Sequence, residues 1–124
     1  MIKMVVHCSD SPQGRGDNAQ TIHAWHKARG WDGIGYHYVI LEDGTVENGR
    51  PEYWTGSHAK GFNDAIGVCL VGKDSFTKEQ FASLEKLIKA RSLKSFEVVG
   101  HYIVNHDKTC PNFNVENFLI RIGV

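Results

Sequence analysis

Hydrophobic and polar positions along this chain switch between a two-residue and a helical period, and the switches predict its elements. The apolar run Met4-Val5-Val6, ended by His7, predicts a short buried strand over residues 3–7. A polar stretch with glycines, Ser9 to Asp17, predicts a loop. Asp17 then offers an N-cap with Gln20 three residues later, the spacing of a capping box. The helix it starts is expected to reach about Arg29, with Gly30 as its stop and Ile22, Trp25 and Ala28 on its apolar face. Tyr36-His37-Tyr38-Val39-Ile40-Leu41 is rich in aromatic and β-branched residues, and Asp43-Gly44 separates it from Thr45-Val46, which predicts a hairpin. Residues 48–64 hold Gly49, Pro51, Gly56 and Gly61 and predict a long ordered loop, a feature small domains commonly keep for function.

Ile66-Gly67-Val68-Cys69-Leu70-Val71 reads as another buried strand. The next helix has the clearest start: Thr77 caps it, Gln80 completes a capping box, and Phe76 and Phe81 fit a hydrophobic staple. Phe81, Leu84, Leu87 and Ile88 form its stripe. A strand over 96–100 leads into a loop carrying His101 and Cys110, and a short helix over roughly 115–121 closes the chain. No repeat or linker interrupts the pattern, so residues 1–124 are expected to form a single domain. The expected class is α/β, a central mixed β-sheet flanked by about three helices.

Composition narrows the function. The 124 residues suit one compact domain, and 14 basic against 14 acidic residues argue against nucleic acid as the main partner. No apolar run approaches membrane-spanning length, so no membrane insertion is expected. The start, Met-Ile-Lys-Met-Val-Val-His, is too short and too soon polar for a signal peptide, which predicts synthesis and retention in the cytoplasm. Three cysteines at irregular spacing do not predict a disulfide framework. Cys69 reads as a small core residue, and Cys8, next to His7 on a strand, is expected to face away from whatever His7 binds.

The chemistry concentrates in His7, His101 and Cys110, each placed where a predicted strand gives way to a loop or in the loop itself. Two imidazoles and a thiolate are good zinc ligands, and three protein ligands leave a fourth position for water, the arrangement of a hydrolase. Pro111 biases Cys110 toward extended backbone, where residues two apart share a face, so Lys108 and Cys110 are expected to look into one space. His23 and His26, three apart on the first helix, are a rival pair, but they lack a third ligand and a His-Glu-x-x-His pattern. A solvated helix surface is the better reading of them. His106 is an alternative to His101 as ligand. Of Tyr36 and His37, strand alternation allows at most one to face the site. Trp54 and His58, on the long loop, are candidate walls of an open groove.

Several segments carry a family resemblance in their order: Val6-His7-Cys8-Ser9, Trp25-His26-Lys27-Ala28-Arg29-Gly30-Trp31, Gly35-Tyr36-His37-Tyr38, Asp43-Gly44-Thr45-Val46-Glu47-Asn48-Gly49-Arg50, Gly56-Ser57-His58-Ala59-Lys60-Gly61, Ile66 to Gly72 and Lys108-Thr109-Cys110-Pro111. Together they cover nearly the whole chain. The set resembles the zinc-dependent N-acetylmuramoyl-L-alanine amidases, in particular the small bacteriophage lysozyme-type amidases (endolysins), whose fold is shared with peptidoglycan recognition proteins. The resemblance implies hydrolysis of the amide between the lactyl group of N-acetylmuramic acid and L-alanine in peptidoglycan. It implies Zn2+ held by His7, His101 and Cys110, catalytic roles for Tyr36 and Lys108, and a place for His58 near the substrate groove. One departure is that the stretch between His101 and Cys110 is a residue longer than in the phage relatives.

A phage lytic enzyme of this kind is expected to act as a monomer. It would accumulate in the host cytoplasm and reach peptidoglycan in the periplasm after the inner membrane is permeabilised. The sequence admits three other readings. A non-catalytic peptidoglycan-binding module is disfavoured because Cys110, Tyr36 and Lys108 are all present. A thiol hydrolase with Cys110 as nucleophile would be insensitive to chelation. Inhibition of RNA polymerase, found in some phage relatives, has no positive support in this sequence.

Overall fold

All five residues of the first strand, β1 (Met4–Cys8), are buried, and the chain is built outward from it. The computed structural model describes residues 1–124. After β1 come α1 (Ala19–Ala28), β2 (Tyr38–Ile40), β3 (Val46–Asn48), β4 (Ile66–Leu70), α2 (Lys78–Ala90), β5 (Val98–Gly100), α3 (His101–Val104) and α4 (Val115–Ile122). The strands form one sheet in the order β3-β2-β4-β1-β5. β1 is paired in parallel on both edges, with β4 and β5, and β2 is parallel to β4. Only the hairpin partner β3 runs antiparallel, so the sheet is mixed as expected.

Alternation along β1 divides the core. Met4 and Val6 join Leu84 and Ile88 of α2 and Phe118 and Leu119 of α4 on one face. On the other face Val5 packs with Ala59 and Ala65 of the long loop, and Ile22 of α1 packs with Val39 and Cys69. Cys69 is thus the core residue the sequence suggests. At the hairpin, Gly44 adopts φ +89°, a left-handed conformation that side chains disfavour, and its N–H donates to Leu41 O at 2.8 Å.

Three expectations need correction. The cap of α1 is Asn18, one residue later than Asp17: Asn18 Oδ1 accepts from Thr21 N at 3.0 Å and Asn18 N donates to Thr21 Oγ1 at 3.2 Å. Asp17 instead binds Arg15 at 3.0 Å. Either residue type can cap, so the choice fell to the neighbours. The buried residues of α1 are Ile22 and His26, whereas Ala28 is exposed. Finally, the sheet carries four helices rather than about three, because β5 runs straight into the single turn α3, too short to leave a periodic signature.

The start of α2 is as expected, and Gln80 does more there than cap. It is fully buried; Oε1 accepts from Thr77 N at 2.9 Å while Nε2 donates to Val71 O at 2.9 Å and Ile40 O at 3.2 Å. One amide therefore fastens the helix start to the ends of β2 and β4. Gln80→Leu keeps the bulk but leaves the Thr77 N–H and Val71 carbonyl without these partners. Urea unfolding should show a loss of about 1–3 kcal/mol, and an unchanged midpoint would mean water replaces the amide without cost.

Candidate metal-binding and catalytic site

The site begins with a difference in strand length. β5 pairs only with Met4, Val5 and Val6, so His7 and Cys8 extend past it. α3 starts at His101 immediately beyond that edge, and the His7 and His101 rings meet with centroids 4.4 Å apart. The chain then turns back: Tyr102 N donates to Cys110 O at 3.0 Å, which returns Cys110 to the end of β1. There Cys8 N donates to Cys110 Sγ at 3.1 Å. His7, His101 and Cys110 thus line one cavity of about 420 Å³, together with Tyr36, His58, Lys108, Arg29 and Trp31.

Lys108 and Cys110 do line one cavity, but Asp107 and Thr109 line it too and Cys110 lies in a turn, so the loop's curvature and not an extended alternation brings them there. Tyr36 faces the cavity, its ring 5.0 Å from that of His7, whereas His37 is turned away. His106 is exposed and does not line the cavity. Trp54 is exposed on the long loop and borders a different cavity, of about 580 Å³, with Arg50 and His23.

Cys8 departs from expectation. Its sulfur lies 2.7 Å from that of Cys110, and it lines the same cavity as His7. Alternation still holds inside β1, but the segment carrying Cys110 wraps the strand's free end and meets both of its last residues. The two thiols divide one proton unequally. The hydrogen bond from Cys8 holds the Cys110 thiol down to about 5, with His101 adding to the effect. The same bond, together with burial, pushes the Cys8 thiol up. His7 is driven well below the ordinary histidine range, by burial first and then by the neighbouring His58 and His101, so it is neutral and carries a free lone pair. Burial likewise raises Tyr36, keeping its phenol a proton donor.

The chemistry of this donor set, a neutral imidazole, a second imidazole and a thiol inclined to ionise, suits a zinc ion. The side chains gather without closing: no three His, Cys, Asp or Glu groups stand in coordinating geometry, and the Cys110 sulfur leans on Cys8.

The remaining histidines serve as fasteners. His23 Nδ1 accepts from Ile34 N at 3.1 Å and His26 Nδ1 from Gly35 N at 2.9 Å. That is a structural role which the reading of these two as a solvated helix surface missed. Between them they hold the segment that presents Tyr36. His37 Nδ1 accepts from Gly67 N at 2.9 Å, and its Nε2 donates to Trp54 O at 2.8 Å. Arg50 secures the same region by donating to Ile34 O at 2.8 Å and Thr55 O at 2.9 Å. His58 has both ring nitrogens engaged, Nε2 with Ala65 O at 2.8 Å and Nδ1 with His7 Nε2 at 2.9 Å.

The chain matches known proteins both in sequence and in fold. The family profile for N-acetylmuramoyl-L-alanine amidase matches residues 2–113. The endolysin of Escherichia phage T7 is 40% identical over 124 residues, spanning 91% of this chain and 82% of that protein. The solved N-acetylmuramoyl-L-alanine amidase LysC from Clostridium intestinale superposes with a TM-score of 0.84 at 33% identity, covering 98% of this chain and 85% of that one. Drosophila PGRP-LB, at 24% identity, shares the fold with a TM-score of 0.81 over 94% of this chain and 78% of its own.

The packing around His58 can be tested directly. A Cβ on Gly67 would stand 2.6 Å from the His58 ring, and one on Gly56 would also meet it at 2.6 Å. With both nitrogens bonded, the ring has little room to yield. Gly67→Ala is expected to cost about 1–3 kcal/mol in urea unfolding; wild-type stability would show that the ring moves freely.

Proposed function

The chain belongs to the N-acetylmuramoyl-L-alanine amidase family and is a lytic amidase of the endolysin type; from that premise we propose that the cavity at the end of β1 cuts the amide joining N-acetylmuramic acid to L-alanine in peptidoglycan, with Zn2+ held by His7, His101 and Cys110. The observation that carries the reading is the convergence of those three side chains with Tyr36 and Lys108 on one cavity, from segments as distant as residues 7 and 110. Zinc bound there would supply a Lewis acid and lower the pKa of a bound water to about 7.

The chain's own groups do the rest. His7 offers a lone pair because burial keeps it neutral. Cys110 offers a thiolate, which Cys8 stabilises through its N–H and S–H. Hydrolysis of an amide builds negative charge on its carbonyl oxygen. Lys108, which lines the cavity, and Tyr36, whose phenol burial keeps protonated, are the donors suited to meet it. Trp54 offers an exposed aromatic face on the long loop for the glycan or its stem peptide. No helix is long and apolar enough to cross a membrane. We propose that the protein gathers in the host cytoplasm and reaches its substrate once the inner membrane is breached.

The lowered thiol of Cys110 beside His101 would also serve a thiol hydrolase, and metal removal separates the two readings. Purified protein should contain about one zinc per chain. Chelation should abolish clearing of purified cell walls, and added Zn2+ should restore it. Full activity after complete metal removal would overturn the zinc reading. Lys108→Ala should keep the metal and lose about 10²–10³ in rate; unchanged turnover would remove Lys108 from the mechanism.

A further inference from the structure

His58 lies on the long loop, where a substrate contact is the obvious role, yet its ring has no nitrogen to spare. Nε2 faces the carbonyl of Ala65 at 2.8 Å. A carbonyl only accepts, so Nε2 carries the hydrogen. A neutral imidazole carries a single hydrogen, so with Nε2 protonated the Nδ1 of His58 is bare and can only accept. Only one direction remains for the 2.9 Å contact with His7: His7 Nε2–H donates to His58 Nδ1. His7 then carries its lone pair on Nδ1. No group of the chain bonds that atom, and no buried side-chain nitrogen or oxygen is left unpaired, so His7 Nδ1 opens on the cavity that His7 lines.

We propose that His58 is a positioning residue that selects the His7 tautomer, through the chain Ala65 C=O, His58, His7, so that Nδ1 is the nitrogen presented to zinc. The inference rests on the zinc reading above. Such an outer partner does two things: it fixes the orientation of the ligating ring, and it raises that ring's basicity by accepting its other N–H.

The surroundings of His58 are built for a fixed ring. Asn63 Oδ1 accepts from both His58 N, at 2.8 Å, and Ala59 N, at 2.9 Å, which locks the backbone beneath it. Gly56 and Gly67 leave space that any side chain would fill at 2.6 Å from the ring. A groove wall needs no such bracing on both sides.

Two measurements test this. In the metal-free wild-type protein, long-range ¹H–¹⁵N correlation spectra should show hydrogen on Nε2 of both His58 and His7; hydrogen on Nδ1 of either ring would overturn the assignment. Zn2+ affinity, measured by competition with a chromophoric chelator, should fall about 10–100-fold in His58→Ala. His58→Asn, whose side-chain oxygen falls near the position of Nδ1, should recover most of that loss. Wild-type affinity in folded His58→Ala would overturn the proposal. So would His58→Asn binding as weakly as His58→Ala, which would assign the effect to packing. If the wild-type protein itself binds no zinc, the zinc reading fails, while the tautomer spectrum still reports on the His58–His7 bond.

Discussion

The overhang of β1 past β5 is the constraint on which the rest depends. β1 has neighbours on both edges for most of its length, but at His7 and Cys8 only β4 continues alongside. A parallel sheet has its open crevices beyond the carboxyl ends of its strands. Here the shorter β5 creates one, and α3 and the Cys110 segment bring His101 and Cys110 into it. Shortening β1 or lengthening β5 by two residues would close the space in which His7, His101 and Cys110 meet.

Around that opening the fold spends polar side chains where a simpler core would use apolar ones. His7, His26, His37 and Gln80 are all buried, and each reaches at least one partner; no buried side-chain nitrogen or oxygen is left without one. Burying such groups unpaired would cost several kcal/mol in all, at about 1–3 kcal/mol each. Paired, they do what apolar groups cannot: they fix direction. His23, His26 and His37 accept backbone N–H groups and hold loops in place, and Gln80 joins helix to sheet. The loop presenting Tyr36 and the loop carrying His58 are therefore irregular in form but tied at many points, as a site on loops requires.

The electrostatics follow from burial and pairing together. One cavity holds an imidazole kept neutral and a phenol kept protonated, both chiefly by burial, and a thiol moved toward ionisation by the neighbouring Cys8. Cys8 is central to this balance. By keeping its own proton it lets Cys110 release one, so a residue outside the expected ligand set shapes the charge of the set.

Much of this was legible in the sequence. The strand and helix pattern, the Asp43-Gly44 turn and the Thr77–Gln80 cap are local, decided by residues within a few positions of one another, and they stand in the structure with boundaries shifted by one or two residues. His7, His101 and Cys110 stood out as candidates by their placement near strand ends, and Tyr36 and Lys108 through the family resemblance of the ordered motifs; all five line one cavity. Other features depended on which distant segments became neighbours: the sulfur contact of Cys8, the fastening by His23 and His26, the turn at His101 and the double engagement of His58. Their partners lie far away in sequence or, for α3, the element is a single turn, so no periodicity records them. Alternation could say that Cys8 and His7 point apart, but only the folded chain, by wrapping the Cys110 segment around the end of a strand left unpaired on one side, could bring both to one cavity.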